Sequence, residues 1–215
     1  MDHILIGDLI KIARLKMVSH DPSHDISHAL RVMSLARTIA KAEKADQDIV
    51  IPAALFHDVV NYPKNHPKRH FSSDESAKLV DVILKNLTTY PKEKIKKVCE
   101  SIKQCSFSKG ISHDFIEAKV LQDADSLEAT GAISIMRTFA SAGSMGRQFY
   151  SEIDPFCATR SSDDSMFALD LFFSRLLKVQ DRLYTKTAKK IAKRRTLFLK
   201  KFLESLKKDL EESQL

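Results

Sequence analysis

A chain of 215 residues suits one domain, since domains commonly run to ~100–200 residues, and it is long enough to bury a sizeable core. With 43% hydrophobic and 29% charged residues it is neither collagen-like nor wholly disordered, and its longest apolar run, Ile49 to Phe56, falls far short of the ~20 residues a bilayer crossing needs. The net charge of +7 is concentrated: between Lys178 and Lys201 ten basic residues stand against Asp181 alone, leaving the rest of the chain slightly acidic.

Five glycines and six prolines punctuate stretches in which apolar residues recur at three- and four-residue spacing, the pattern of an all-α protein. Leu5, Leu9, Ile12 and Leu15 mark a first helix, ended before His20-Asp21-Pro22. A second runs from about His24 to Lys44 on Leu30, Met33, Leu35, Ala36, Ile39 and Ala40. Asp46 or Asp48 caps a third, with Pro52 in its first turn and an apolar body that runs into His57-Asp58. Asn61 to His70 reads as a polar loop. Helices resume over about Ser73 to Leu87, from Pro91 to about Ser106, and from Asp114 to Phe139 with a break near Gly131. Ser141 to Arg160 is irregular, and two last helices cover about Asp163 to Tyr184 and Thr187 to Glu212.

Cys99, Cys105 and Cys157 form no C-x-x-C pair and are odd in number, which suits a reducing compartment. The acidic residues and short apolar run of Met1 to Asp8 do not make a signal peptide, so a cytoplasmic location is expected. The basic run reads as the solvated face of a packing helix: it has little aromatic interleaving, and lysine stems cover apolar surface while their heads stay in water. Nucleic acid and membrane are therefore not expected partners.

Of the eight histidines, four precede an aspartate. His57-Asp58 differs from His20-Asp21, His24-Asp25 and His113-Asp114 because it ends the apolar helix Ala53-Ala54-Leu55-Phe56. Polar groups at a buried helix end require partners, and a divalent cation satisfies both residues at once. His28, early in the second helix, and Asp125, among the interior-looking residues Val120 to Ala129, are candidate ligands from other helices. Imidazole and carboxylate without thiolate suit Mn²⁺, Mg²⁺, Fe²⁺ or Zn²⁺. The alternative for this quartet is a buried hydrogen-bonded polar cluster. Asp123 lies about 200° round a helix from Asp125, so it reads as a carboxylate behind the ligands or a solvated one.

His28 in its H-x-x-R-V setting, the His57-Asp58 doublet and Asp125 form a separated H…HD…D set that resembles the HD-domain metal-dependent phosphohydrolases. The likeness runs from about His20 to Leu203, through Pro63-Lys64, Asp123-Ala124-Asp125, Gly131-Ala132-Ile133 and Ala192-Lys193-Arg194-Arg195. It is nearest the compact bacterial subgroup that includes nucleoside triphosphate pyrophosphohydrolases. Asn61 and Tyr62 replace the acidic pair of the alarmone hydrolases, no G-Y-P motif of the cyclic-dinucleotide phosphodiesterases occurs, and Leu171-Phe172 stands where the subgroup commonly has His-Phe.

The resemblance implies a single all-α HD-domain helical bundle over residues 1–215, with a core of about 20–140 and a C-terminal helical extension, about 163–212, packed on it. It implies one divalent ion on His28, His57, Asp58 and Asp125, and hydrolysis of a nucleotide phosphoanhydride or phosphoester by metal-activated water. A (deoxy)nucleoside triphosphate is the expected substrate, with a homodimer left open. The expected catalytic set is Asp58, His57, Lys64 and His24, the last one helical turn before His28. Lys64, His66 and Arg69 are expected phosphate contacts, and Arg147 a contact from a substrate lid. The rival reading is a regulatory HD protein that binds nucleotide or metal without turnover.

Overall fold

The computed structural model describes residues 1–17, 25–62, 66–105 and 113–213. Among these residues the regular structure is helical, in nine α-helices and several short 3₁₀ turns, with no β-strand. Contacts along the chain divide it into two compact units: Met1–Asp125 with Tyr184–Thr187, and Ser126–Leu183 with the chain from Ala188 onward.

The first unit is organised around α3 (Gln47–Phe56), whose residues from Ile49 to Phe56 are all buried. Such a helix needs partners on every face. It packs against α1 (His3–Lys16), α2 (Ile26–Glu43) and α5 (Ile95–Cys105), while α4 (Ser72–Asn86) packs on α5. α6 (Ile116–Ser126) completes the set of helices here. α2 turns His28, Ala29, Val32, Ala36, Ile39 and Ala40 inward and ends on Lys44, which takes the left-handed conformation at φ 59°.

Asp46 is the N-cap of α3, its carboxylate accepting from the Asp48 N–H at 2.9 Å. Gln47 is then the first helical residue, so Pro52 lies in the second turn rather than the first. A proline there has no N–H to offer the carbonyl four residues earlier. That carbonyl belongs to Asp48, and the buried Tyr90 hydroxyl donates to it at 2.7 Å. An interior proline is thus tolerated because a distant side chain replaces the missing donor.

The helix expected after Asp114 breaks before Gly131, where the chain passes from the first unit into the second. α6 gives way to a 3₁₀ turn at Leu127–Ala129, and α7 (Gly131–Ser144) starts on Gly131 at φ 70°. The Arg195 side chain lies 3.1 Å from where a Cβ on Gly131 would be, so glycine serves both conformation and space. Arg195 also donates to the Leu127 carbonyl at 2.9 Å, unlike its solvated neighbours Lys193 and Arg194 on α9 (Lys186–Glu212). Leu169, Phe172, Leu176, Leu199 and Leu203 form this unit's core.

The continuous helix expected over Asp163 to Tyr184 is absent. Only α8 (Asp170–Ser174) and a 3₁₀ segment, Leu176–Arg182, are helical there. Asp163 accepts from both the backbone N–H and the hydroxyl of Ser165, and Ser174 donates to Asp164 at 2.6 Å. Short polar side chains that bond nearby backbone and one another offer the chain an alternative to the helix.

Candidate metal centre

α2, the end of α3 and α6 bring the histidines and aspartates of the first unit together. Asp25, the N-cap of α2, accepts from the His28 N–H at 2.8 Å and so fixes the turn that carries the first imidazole. His57 follows α3 in αR conformation, and its Nδ1 lies 2.8 Å from the Ala54 carbonyl. A carbonyl only accepts, so Nδ1 carries the proton. The contact also satisfies a carbonyl of the helix's last turn. A neutral His57 therefore presents the lone pair of Nε2.

His28 Nε2 and His57 Nε2 are 3.4 Å apart, and Asp125 Oδ1 lies 3.5 and 3.6 Å from them. Asp58 Oδ2 is 3.5 Å from His57 Nε2 and 3.9 Å from His28 Nε2. Two ligands each ~2.1 Å from one ion sit ~3.0–3.4 Å apart. The observed spacings are close to that, and His28, His57 and Asp125 each offer a donor atom within 4.8 Å of the others. Both imidazoles are buried, whereas Asp58 and Asp125 keep 27% and 37% of their side-chain surface exposed. The cluster is thus closed on its imidazole side and open on its carboxylate side.

Its electrostatics call for positive charge. Burial by itself depresses the pKa of His57, yet the carboxylates of Asp58 and Asp125 outweigh it and raise the value to about 9. Neutral-nitrogen and carboxylate donors, one tautomer already fixed, and a demand for positive charge together fit a divalent cation.

The chain that leaves the doublet is tied down at once. The buried Ser76 hydroxyl accepts from the Val60 N–H at 3.0 Å and donates to the Val60 carbonyl at 3.1 Å. Tyr62 donates to Glu75 at 2.5 Å, and its ring stacks on His66 at 4.6 Å between centroids. His66 Nδ1 accepts from the Lys68 N–H at 3.1 Å, and Arg69 opens an exposed 3₁₀ turn, Arg69–Phe71. Arg147 lies in the second unit, where its Nη1 donates to the Asp164 carbonyl at 2.7 Å. Lys64 and His24 lie outside the described residues.

Asp123 is not solvated. It is fully buried and accepts from the backbone N–H groups of Tyr184 and Thr185 at 2.9 and 2.7 Å. Sequence reasoning left Asp25 and Ser76 unassigned. Asp25 carries a readable signal, an Asx side chain three residues before the N–H it caps, whereas nothing near Ser76 points to Val60.

The family model of the HD domain matches residues 25–130, a span that contains the whole quartet. A solved HD-superfamily hydrolase of Bacillus thuringiensis is 30% identical, with 97% of each chain covered and a TM-score of 0.74. The chain belongs to the HD-domain family. This HD protein is also 32% identical over 201 residues to the uncharacterized protein YpgQ of Bacillus subtilis, 90% of this chain and 88% of YpgQ. The crystal structure of YpgQ in complex with ADP matches it with a TM-score of 0.74 over 95% of this chain and 97% of that one. No helix among the described residues is long and apolar enough to cross a membrane.

Proposed function

We propose that this HD protein is a metal-dependent phosphohydrolase that cleaves a phosphoanhydride or phosphoester bond of a nucleotide, with a (deoxy)nucleoside triphosphate as the preferred substrate. The observation that carries the reading is the convergence of His28, His57, Asp58 and Asp125 on one spot, buried on the imidazole side and open on the carboxylate side. The ADP complex of YpgQ supports a nucleotide ligand.

In this reading His28, His57, Asp58 and Asp125 hold the ion. When bound, a divalent ion supplies Lewis acidity to a phosphoryl oxygen and lowers the pKa of coordinated water. His57 contributes a fixed lone pair, because its other nitrogen is committed to Ala54. The exposed faces of Asp58 and Asp125 leave room for substrate and water. Lys64 and Arg69 neutralise the phosphate charge, Arg through bidentate contacts, and His66 donates a hydrogen bond to it.

The test is to measure bound metal, then to assay nucleoside triphosphates with Mn²⁺ while distinguishing orthophosphate from pyrophosphate as product. One ion per chain and turnover are expected, both lost in Asp58→Ala, with the rate down at least about 100-fold for several kcal/mol of lost stabilisation. A fully active Asp58→Ala protein sinks the assignment. Saturable nucleotide binding without hydrolysis supports the regulatory alternative instead.

A further inference from the structure

Two buried or half-buried carboxylates outside the ligand quartet grip one short segment of the first unit. Asp123, on α6, accepts from the Tyr184 N–H at 2.9 Å, the Thr185 N–H at 2.7 Å and the Thr185 hydroxyl at 2.7 Å. Glu43, at the end of α2, accepts from the Thr187 N–H at 2.8 Å and the Thr187 hydroxyl at 2.6 Å. The partners are 61, 62 and 144 residues apart in sequence, and residues Tyr184–Thr187 belong to the first unit although the chain on either side of them does not.

The two helices held by this segment are those that carry His28 and Asp125. On α6, Asp123 and Asp125 are ~200° apart about the helix axis, so one carboxylate meets the segment while the other meets the imidazoles. Helix rotation moves both at once. At a side-chain radius of ~5–6 Å, a turn of about 20° displaces each carboxylate by roughly 2 Å, enough to undo a hydrogen bond or a metal bond. Glu43 blocks the corresponding slippage of α2 at the end opposite His28.

We propose that Tyr184–Thr187 is a clip that sets the spacing of His28 and Asp125, with Asp123, Glu43, Thr185 and Thr187 as positioning residues for the metal centre. The proposal rests on the reading that the quartet binds a metal ion, and it assigns these four residues no contact with ion or substrate. The clip acts through geometry: it keeps His28 Nε2 and Asp125 Oδ1 near their observed 3.5 Å. Cutting its side-chain bonds leaves the four ligands in place but lets their spacing vary.

Thr185→Val, Thr187→Val and the double variant remove hydroxyl donors at nearly constant shape, and Thr185→Ser restores one. Two measurements are made well below the unfolding temperature: Mn²⁺ affinity by calorimetry, and the imidazole resonances of His28 in metal-free protein by NMR. The double variant is expected to bind Mn²⁺ about ten-fold more weakly, as when partners behind metal ligands are removed, and to shift the His28 resonances. Thr185→Ser is expected to match the wild type in both. A double variant that lowers thermal stability but moves neither readout overturns the clip and leaves the metal reading intact. If the wild type binds no Mn²⁺, the metal reading falls and takes the clip's role at a metal centre with it, even where the double variant shifts the His28 resonances. If neither binding nor a shift is seen, both fall.

Discussion

The candidate metal centre of the first unit and the Arg160–Asp170 site of the second place buried polar charge in opposite ways. In the second unit the cation is part of the chain. Asp170, fully buried, is met by Arg160 through Nη1 at 2.5 Å and Nη2 at 2.8 Å, and accepts from the Asp163 N–H at 2.6 Å. Asp154 steadies the same loop by accepting from the backbone of Ala158, Thr159 and Arg160. In the first unit carboxylates face imidazoles, and the positive charge they favour shows as the raised pKa of His57. One arrangement is complete as folded, while the other holds carboxylates and imidazoles that favour added positive charge. A buried pair supplied by the chain stabilises a loop; a carboxylate and imidazole cluster that invites a cation from outside can do chemistry.

The sharpest way to break this contrast is Arg160→Ala. It leaves a buried carboxylate without its guanidinium and should cost about 3–5 kcal/mol of stability. Urea unfolding measures it. Metal stoichiometry of the folded variant should remain that of the wild type. A loss below about 1 kcal/mol would mean that Asp170 is rescued by solvent and that the second site is no more self-sufficient than the first.

pH separates the two sites by sign. Burial raises the pKa of Asp170, but the hydrogen bonds from Arg160 and the Asp163 N–H overcome it and leave the carboxyl below its ordinary range. Its contribution to stability is complete above ~4 and is lost as pH falls through the lower folded value. His57 behaves oppositely in metal-free protein. With a folded value of about 9 against an ordinary ~6.5, its contribution is complete below pH 6.5 and disappears as pH rises towards 9. Because Mn²⁺ must displace that proton, apparent affinity should rise about ten-fold per pH unit between these values and level off above them. A pH-independent affinity from 6.5 to 9 would show that His57 does not carry the exchanged proton.

Of the four residues brought together, only the His57-Asp58 doublet was legible from physics alone, whereas His28 and Asp125 joined it as a set through the resemblance to the HD-domain phosphohydrolases. His57 and Asp58 terminate a helix too apolar to be anything but buried, and buried polar side chains demand partners. The clip was not, because Asp123 and Thr185 meet across 62 residues and neither is unusual in its own neighbourhood. The sequence places Pro52 a turn too early because Asp46 and Asp48 are equally good caps by residue type. The Tyr90 hydroxyl that makes its true position tolerable comes from far along the chain. Asp163 to Tyr184 read as one helix because apolar spacing does not register the bonds from Ser165 to Asp163 and from Ser174 to Asp164.

The smallest effect tests whether local devices also serve the first site. Asp25 holds the third N–H of α2, that of His28 itself, so Asp25→Ala should cost about 1 kcal/mol and lower Tm by roughly 2–4 °C, while Asp25→Ser, which keeps a capping oxygen, should cost far less. Added Mn²⁺ distinguishes this loss from that of Arg160→Ala. A ligand that binds the native state raises Tm by mass action, and the increment shrinks when its site is impaired. The increment should therefore be smaller than wild type in Asp25→Ala and unchanged in Arg160→Ala, since only the first variant frays the turn that carries His28, a proposed ligand. Equal increments in both would make Asp25 an ordinary helix cap whose nearness to His28 has no bearing on the metal.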